Sequence, residues 1–137
     1  MINRLLRALA ASLFFIGTGN VVVQADSDPG AAGVAQAYFE ALRSGNRQAL
    51  LSLFAGSERQ RSEAQLNDPA YSQFLIARYS NARLEITASG EQGGIPFVDI
   101  AIWLNAVESV KERLVLRATG NSTGLRYVIA ARKELAD

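Results

Sequence analysis

Apolar residues recur along this chain with two periods, helical up to about residue 80 and alternating beyond it. Asp28-Pro29 is a cap followed by proline at a first helical position. Val34, Tyr38, Ala41 and Leu42 then share one helical face with Phe39 beside them, and Gly45 supplies a stop, which predicts a helix over 29–44. Asn46 caps a second helix over 47–55, carrying Leu50, Leu51, Leu53 and Phe54, with Gly56 at its end. Residues 57–67 are polar apart from Ala64 and Leu66. Ser57 and Gln60 have capping-box spacing, so a solvated helical turn is expected there. Asp68-Pro69 repeats the start signal. Tyr71, Phe74, Leu75, Arg78 and Tyr79 follow at i, i+3, i+4, i+7 and i+8, predicting a third helix over 69–80.

From Asn81 the period is two. Leu84, Ile86 and Ala88 alternate with Arg83, Glu85 and Thr87, which describes a half-buried strand. After a glycine-rich turn at 90–94, residues 97–105 form a strand apolar on both faces: Val98, Ile100, Ile102 and Leu104 on one, Phe97, Ala101 and Trp103 on the other. Residues 110–119 bury Leu114 and Leu116 and expose Arg113 and Arg117. A turn at 120–124 leads to a last strand over 125–133, with Leu125, Tyr127 and Ile129 on one side. The expected fold class is α+β: three N-terminal helices packed on one face of a curved four-stranded antiparallel meander.

The first 25 residues have a different character. A basic start over 1–7 precedes an apolar run over 8–16, then Gly17, Gly19 and Asn20, then Val23-Gln24-Ala25. Small or β-branched residues at the −3 and −1 positions mark a cut after Ala25, as in a cleavable Sec-type signal peptide. The bland alternative is a retained anchor, weakened by Arg7 and by the polar break. The domain organisation read here is a signal peptide over 1–25 and one domain over 26–137, exported to a periplasm or beyond, without membrane insertion after cleavage.

Charge narrows the function classes. The 137 residues carry 14 Lys and Arg against 13 Asp and Glu, and removal of Arg4 and Arg7 with the leader leaves 12 bases against 13 acids. This balance argues against a nucleic-acid partner, which calls for a basic face. The chain has no Cys and no His, which removes disulfides, thiol chemistry, the commonest general base and the commonest metal ligand. No cofactor and no metal site are expected. Asp26 and Asp28 make only a pair, too few for a hard cation.

The order of elements resembles the nuclear transport factor 2-like superfamily, a cone-shaped α+β fold. The resemblance lies in Ala35-Gln36-Ala37-Tyr38-Phe39-Glu40-Ala41-Leu42, then Ser44-Gly45-Asn46 and Leu50…Leu53-Phe54, and in the closing Gly124-Leu125-Arg126-Tyr127-Val128-Ile129. It spans most of 29–133 but rests on hydrophobic spacings. The chain lacks the hairpin many members insert between the second and third helices, and its Trp is in the second strand. The resemblance implies a cavity between sheet and helices, which in the superfamily's isomerases and polyketide cyclases holds an acid or His base beside phenol donors. Asp99 would be that base here, with Tyr38, Tyr71 and Tyr127 as donors. It also implies that the open face of the sheet can form a dimer.

The residues themselves favour a plainer role for Asp99. It shares a face with Phe97 and Trp103, opposite the aliphatic row, and Arg113 and Arg117 lie on that same face one strand away, so a cross-strand ion pair is expected. No catalytic residue is therefore assigned. A solvated sheet face should alternate cleanly, and 97–104 does not, which makes Phe97, Asp99, Trp103, Arg113 and Arg117 candidates for an interface with a second copy or another envelope protein. Tyr38, Phe54, Tyr71 and Phe74 are candidates for a ligand pocket, against the simpler alternative that they are core. The leading reading is a non-enzymatic exported module binding a protein partner or a small apolar ligand. The alternatives are an isomerase, cyclase or hydrolase using Asp99, and a structural accessory subunit of an envelope assembly.

Overall fold

The computed structural model describes residues 21–23, 29–119 and 125–136. The apolar run over 8–16, the cut after Ala25, the Asp28 cap and the turn at 120–124 lie outside the described residues. In chain order the elements are β1 (Val21–Val23), α1 (Pro29–Ser44), α2 (Arg47–Leu53), α3 (Gly56–Leu66), α4 (Tyr71–Tyr79), β2 (Arg83–Gln92), β3 (Ile95–Trp103), β4 (Ser109–Ala118) and β5 (Tyr127–Glu134). Strands β2 to β5 form the expected antiparallel meander. β1 adds to it in parallel, with Val21, Val22 and Val23 opposite Leu84, Glu85 and Ile86.

The core lies between α1 and the sheet. Val34, Ala35, Tyr38, Phe39 and Leu42 of α1 are buried, as are Leu84, Ile86, Val98, Ile100, Ile102, Leu114, Leu116 and Ile129 on the facing side of the strands. α1 stops at Gly45, whose φ of 66° is in the left-handed region, and the Asn46 N–H returns to the Ala41 carbonyl at 2.9 Å. The Asn46 side chain then accepts the Ala49 N–H at 3.0 Å and starts α2.

Among the described residues there are four helices rather than three. The stretch expected to be a solvated turn is the full helix α3, and its buried residues, Glu58, Ser62 and Leu66, recur at i, i+4 and i+8. Its inward face is polar, so a hydrophobic period does not report it. α4 begins at Tyr71, two residues later than expected, because Pro69 and Ala70 sit in a turn whose Ala70 N–H is taken by the Asp68 carboxylate. Of its proposed apolar face Leu75 alone is buried, while Phe74 is 53 % exposed.

Two irregularities break the alternation. Ile86 pairs with Ile100 and Ala88 with Asp99, so Thr87 is an extra residue that turns Ala88 onto the outer face rather than the row of Leu84 and Ile86. On β5, Ile129 pairs with Leu116 and Ala131 with Val115. Ala130 is therefore the extra residue, and beyond it Arg132 faces the helices and Lys133 faces outward.

A Cβ at Gly45 would stand 2.7 Å from the Ser72 carbonyl oxygen and 2.8 Å from Ile76. Gly45→Ala combines that clash with a strained φ and is expected to lower unfolding free energy by about 2 kcal/mol. Urea titration of the variant beside the parent checks it.

Candidate functional site

The outer face of the sheet carries the residues marked for an interface. Asp99 and Arg113 are directly opposite on β3 and β4. The guanidinium grips both carboxylate oxygens, Nε to Oδ1 at 2.7 Å and Nη2 to Oδ2 at 2.9 Å. Nη1 of Arg113 donates to the Gln92 side-chain oxygen at 2.9 Å, and the guanidinium lies 3.9 Å from the centre of the Phe97 ring. Asp99 thus faces outward in the expected ion pair. Arg117 takes no part in it: it pairs with Val128 on the far strand, and its guanidinium lies against Gly56 at the start of α3. Trp103 donates its indole N–H to Glu85 at 3.0 Å and has Arg83 5.7 Å from its ring centre. Side chains of this same chain therefore cover part of each aromatic ring on the second face of β3.

Beyond Arg113 the outer face dips. Gln92, Ile95, Pro96, Phe97, Arg113, Val115 and Lys133 line a depression of about 290 Å³. A smaller apolar groove of about 190 Å³ runs between α1, α2 and the start of β5, along Ala37, Ala49, Ser52, Leu53, Leu125 and Val128.

The helix-facing side holds a cluster that the pattern of the sequence does not announce. Arg132, turned inward by the β5 irregularity, donates Nε to Glu58 at 3.0 Å, Nη1 to the Tyr38 hydroxyl at 3.1 Å and Nη2 to Ser62 at 3.3 Å. Its backbone N–H also donates to Glu58, at 3.0 Å. Glu58, only 1 % exposed, takes further bonds from Arg61 and Ser62. The Tyr38 hydroxyl donates to Glu112 at 2.8 Å. Asp99 outside does not leave this side without an acid, because Glu112 has the same parity on β4 as Leu114. Parity was the signal that could have found Glu112. Arg132 carried no such signal, since its inward orientation depends on the extra residue Ala130.

Burial and charge set the protonation of these groups. Burial pushes the Glu58 carboxyl up, but the Arg132 charge and the bonds from Arg61 and Arg132 outweigh it and hold it below its ordinary value. Burial raises the Glu112 carboxyl above its ordinary value, more than the Tyr38 bond and Arg132 lower it. Burial first, and Glu112 second, push the Tyr38 phenol well up, so Tyr38 remains a neutral donor. Burial disfavours the Arg132 cation, yet Tyr38, Glu58 and Glu112 outweigh that and keep it charged.

The proposed pocket aromatics separate into two pairs. Tyr38 and Phe54 lie in the core with ring centres 6.2 Å apart, and Arg132 lies 4.6 Å from the Phe54 ring centre. Tyr71 and Phe74 stack on each other at 5.4 Å on α4, with Phe74 largely exposed. Tyr127, half-buried, packs its ring against Gly30. Among the described residues no group of three or more Asp and Glu is placed to hold a metal ion, and no helix is long and apolar enough to cross a membrane. The chain matches no family model, curated protein or solved structure in the comparisons made.

Removing one partner of a buried ion pair strands the other. Glu58→Gln is expected to lower stability at pH 7 by about 3 kcal/mol. The native Glu58 pKa is depressed, so its contribution is present above the unfolded value and is lost as pH falls through the folded one. The gap between parent and variant therefore closes in acid, as denaturant midpoints across pH will show.

Glu112 has the opposite sign. Its folded pKa is raised, so ionisation opposes folding once pH passes the unfolded value near 4.3. Glu112→Gln retains an acceptor for Tyr38 and is expected to match or exceed the parent at pH 7. Any advantage vanishes near pH 4, measured on the same pH series.

Proposed function

We propose that this chain is a non-enzymatic exported module of the nuclear transport factor 2-like kind, engaging a protein partner or a small apolar ligand through the outer face of its sheet. The observation that carries the reading is the contrast between the two faces. On the helix side the charged groups Glu58, Arg61, Arg132 and Glu112 meet one another and hold α3 and α1 to the sheet. On the outer side an open depression retains exposed apolar surface at Ile95 beside Phe97 and Val115. Cleavage after Ala25 would also remove β1 and leave the β2 edge unpaired at Leu84, Glu85 and Ile86, a place where a second copy or an envelope protein can add a strand.

A second reading is favoured by one observation. Glu112 is a half-buried carboxyl with a raised pKa beside a phenol on the helix-facing side, the pairing an isomerase, cyclase or hydrolase would use. In that reading the acid is Glu112 and no longer Asp99, both of whose oxygens are bound by Arg113. A structural accessory subunit would use the same outer face as the binding module.

A photo-reactive phenylalanine analogue replacing Ile95, compared with one replacing Phe74, tests the outer-face assignment in cells. The position-95 label is expected to give a discrete cross-linked species on protein isolated with Asp26 as its first residue. Adducts from position 74 alone would move the binding surface to the helical side, and a retained leader would remove the export claim.

A further inference from the structure

We infer that the depression on the outer sheet face is a binding site for a small monocarboxylic acid with an apolar body. This rests on the outer-face reading above and gives its ligand a chemical class. The floor is apolar, made by Pro96, Phe97 and Val115 with Ile95 at the side, and it is rigid, because Phe97 and Val115 are direct partners across β3 and β4. The Phe97 ring is fixed over Gly90, within 3.6 Å of where a Cβ would stand, with the Arg113 guanidinium against it. Ile95 is 53 % exposed, so part of the apolar wall meets water.

The polar groups lie on one side of this floor. Arg113 and Lys133 are direct partners across β4 and β5, and two like charges so placed repel each other unless an anion is near. Asp99 neutralises one of them. Lys133 has no carboxylate in ion-pair reach among the described residues, so the trio Asp99, Arg113 and Lys133 carries one positive charge in excess. Three of the five guanidinium N–H groups of Arg113 are engaged, by Asp99 and Gln92, which leaves two as donors. The Gln92 oxygen is occupied by Arg113, which leaves its amide N–H₂ as a donor as well. Donors from Lys133, Arg113 and Gln92 beside an apolar floor match one carboxylate on a hydrocarbon body. A peptide strand is less suited, because the β5 edge is already closed by the Ala55 N–H on the Ile129 carbonyl and by Glu58 on the Arg132 N–H.

The test is a titration of the full chain, followed by amide nuclear magnetic resonance, with octanoate, octanol, octylamine and an acetylated peptide ending in leucine. Octanoate is expected to shift the amides of Phe97, Val115 and Lys133, and octanol to bind about tenfold more weakly, the value of roughly one charge-assisted contact. Lys133→Gln, an exposed change that should leave melting unaltered, is expected to weaken octanoate by about tenfold while leaving octanol as it was. Equal affinity for octanol or octylamine, an unchanged octanoate affinity in Lys133→Gln, shifts confined to other surfaces, or tighter binding of the peptide would each overturn the assignment. If octanoate fails while the position-95 cross-link persists, the ligand class is wrong and the outer-face module stands; if both fail, the module reading fails with it.

Discussion

One guanidinium ties this fold together. A carboxylate as deeply buried as Glu58 costs several kcal/mol unless it is paired and fully hydrogen-bonded. Here Arg132 supplies both a charged N–H and the backbone N–H of an edge strand to it. The same side chain reaches Tyr38 on α1 and Ser62 on α3, and Tyr38 passes the contact to Glu112 on β4. α3 offers only Leu66 as a large apolar residue to bury, so its attachment depends on this pairing far more than on hydrophobic area. In a chain without cysteine, no cross-link substitutes for it.

The pairing exists because the strands are irregular. Without the extra residue at Ala130, β5 would keep the parity of Ile129 and present Ala131 and Lys133 to the helices. With it, Arg132 turns inward and Lys133 outward, so a single inserted residue sets the orientation of both the buried cluster and the cation of the outer depression. Thr87 does the equivalent on β2, placing small Ala88 opposite Asp99 while its hydroxyl donates to the Asp99 carbonyl at 3.2 Å. Irregularities of this kind re-aim side chains without altering strand order.

How much of this was legible follows from the same physics. α1, α2 and the four meander strands were readable because most of their inward residues are apolar and keep a fixed period on either side of the two irregularities, and the Asp99–Arg113 pair followed once register and parity were granted. α3 was hidden because its inward face is Glu58, Ser62 and Leu66, a pattern that hydropathy scores as solvated. Glu112 was within reach, being in step with Leu114, whereas Arg132 was not, since nothing local marks Ala130 as supernumerary. Phe74 was assigned inward by helical spacing, yet α4 lies on α1 and not on the sheet, and one buried residue, Leu75, suffices to seat it.

Charge balance separates the two faces more sharply than shape does. In the buried cluster Glu58 is matched by Arg132 and Arg61, and the raised pKa of Glu112 comes first from its desolvation, with Glu58 and the cross-strand Glu134 adding to it. Ionisation of Glu112 opposes folding, while its acceptor oxygen holds the Tyr38 hydroxyl. On the outer face the charges of Asp99, Arg113 and Lys133 do not cancel, and the surplus sits on Lys133, at a depression with apolar side chains that water already touches. A set of charges that closes on itself asks nothing of a partner. An excess cation above an exposed hydrophobic floor is the arrangement that an amphipathic anion completes, and among these two groups of charges it is found on the side of the sheet away from the helices.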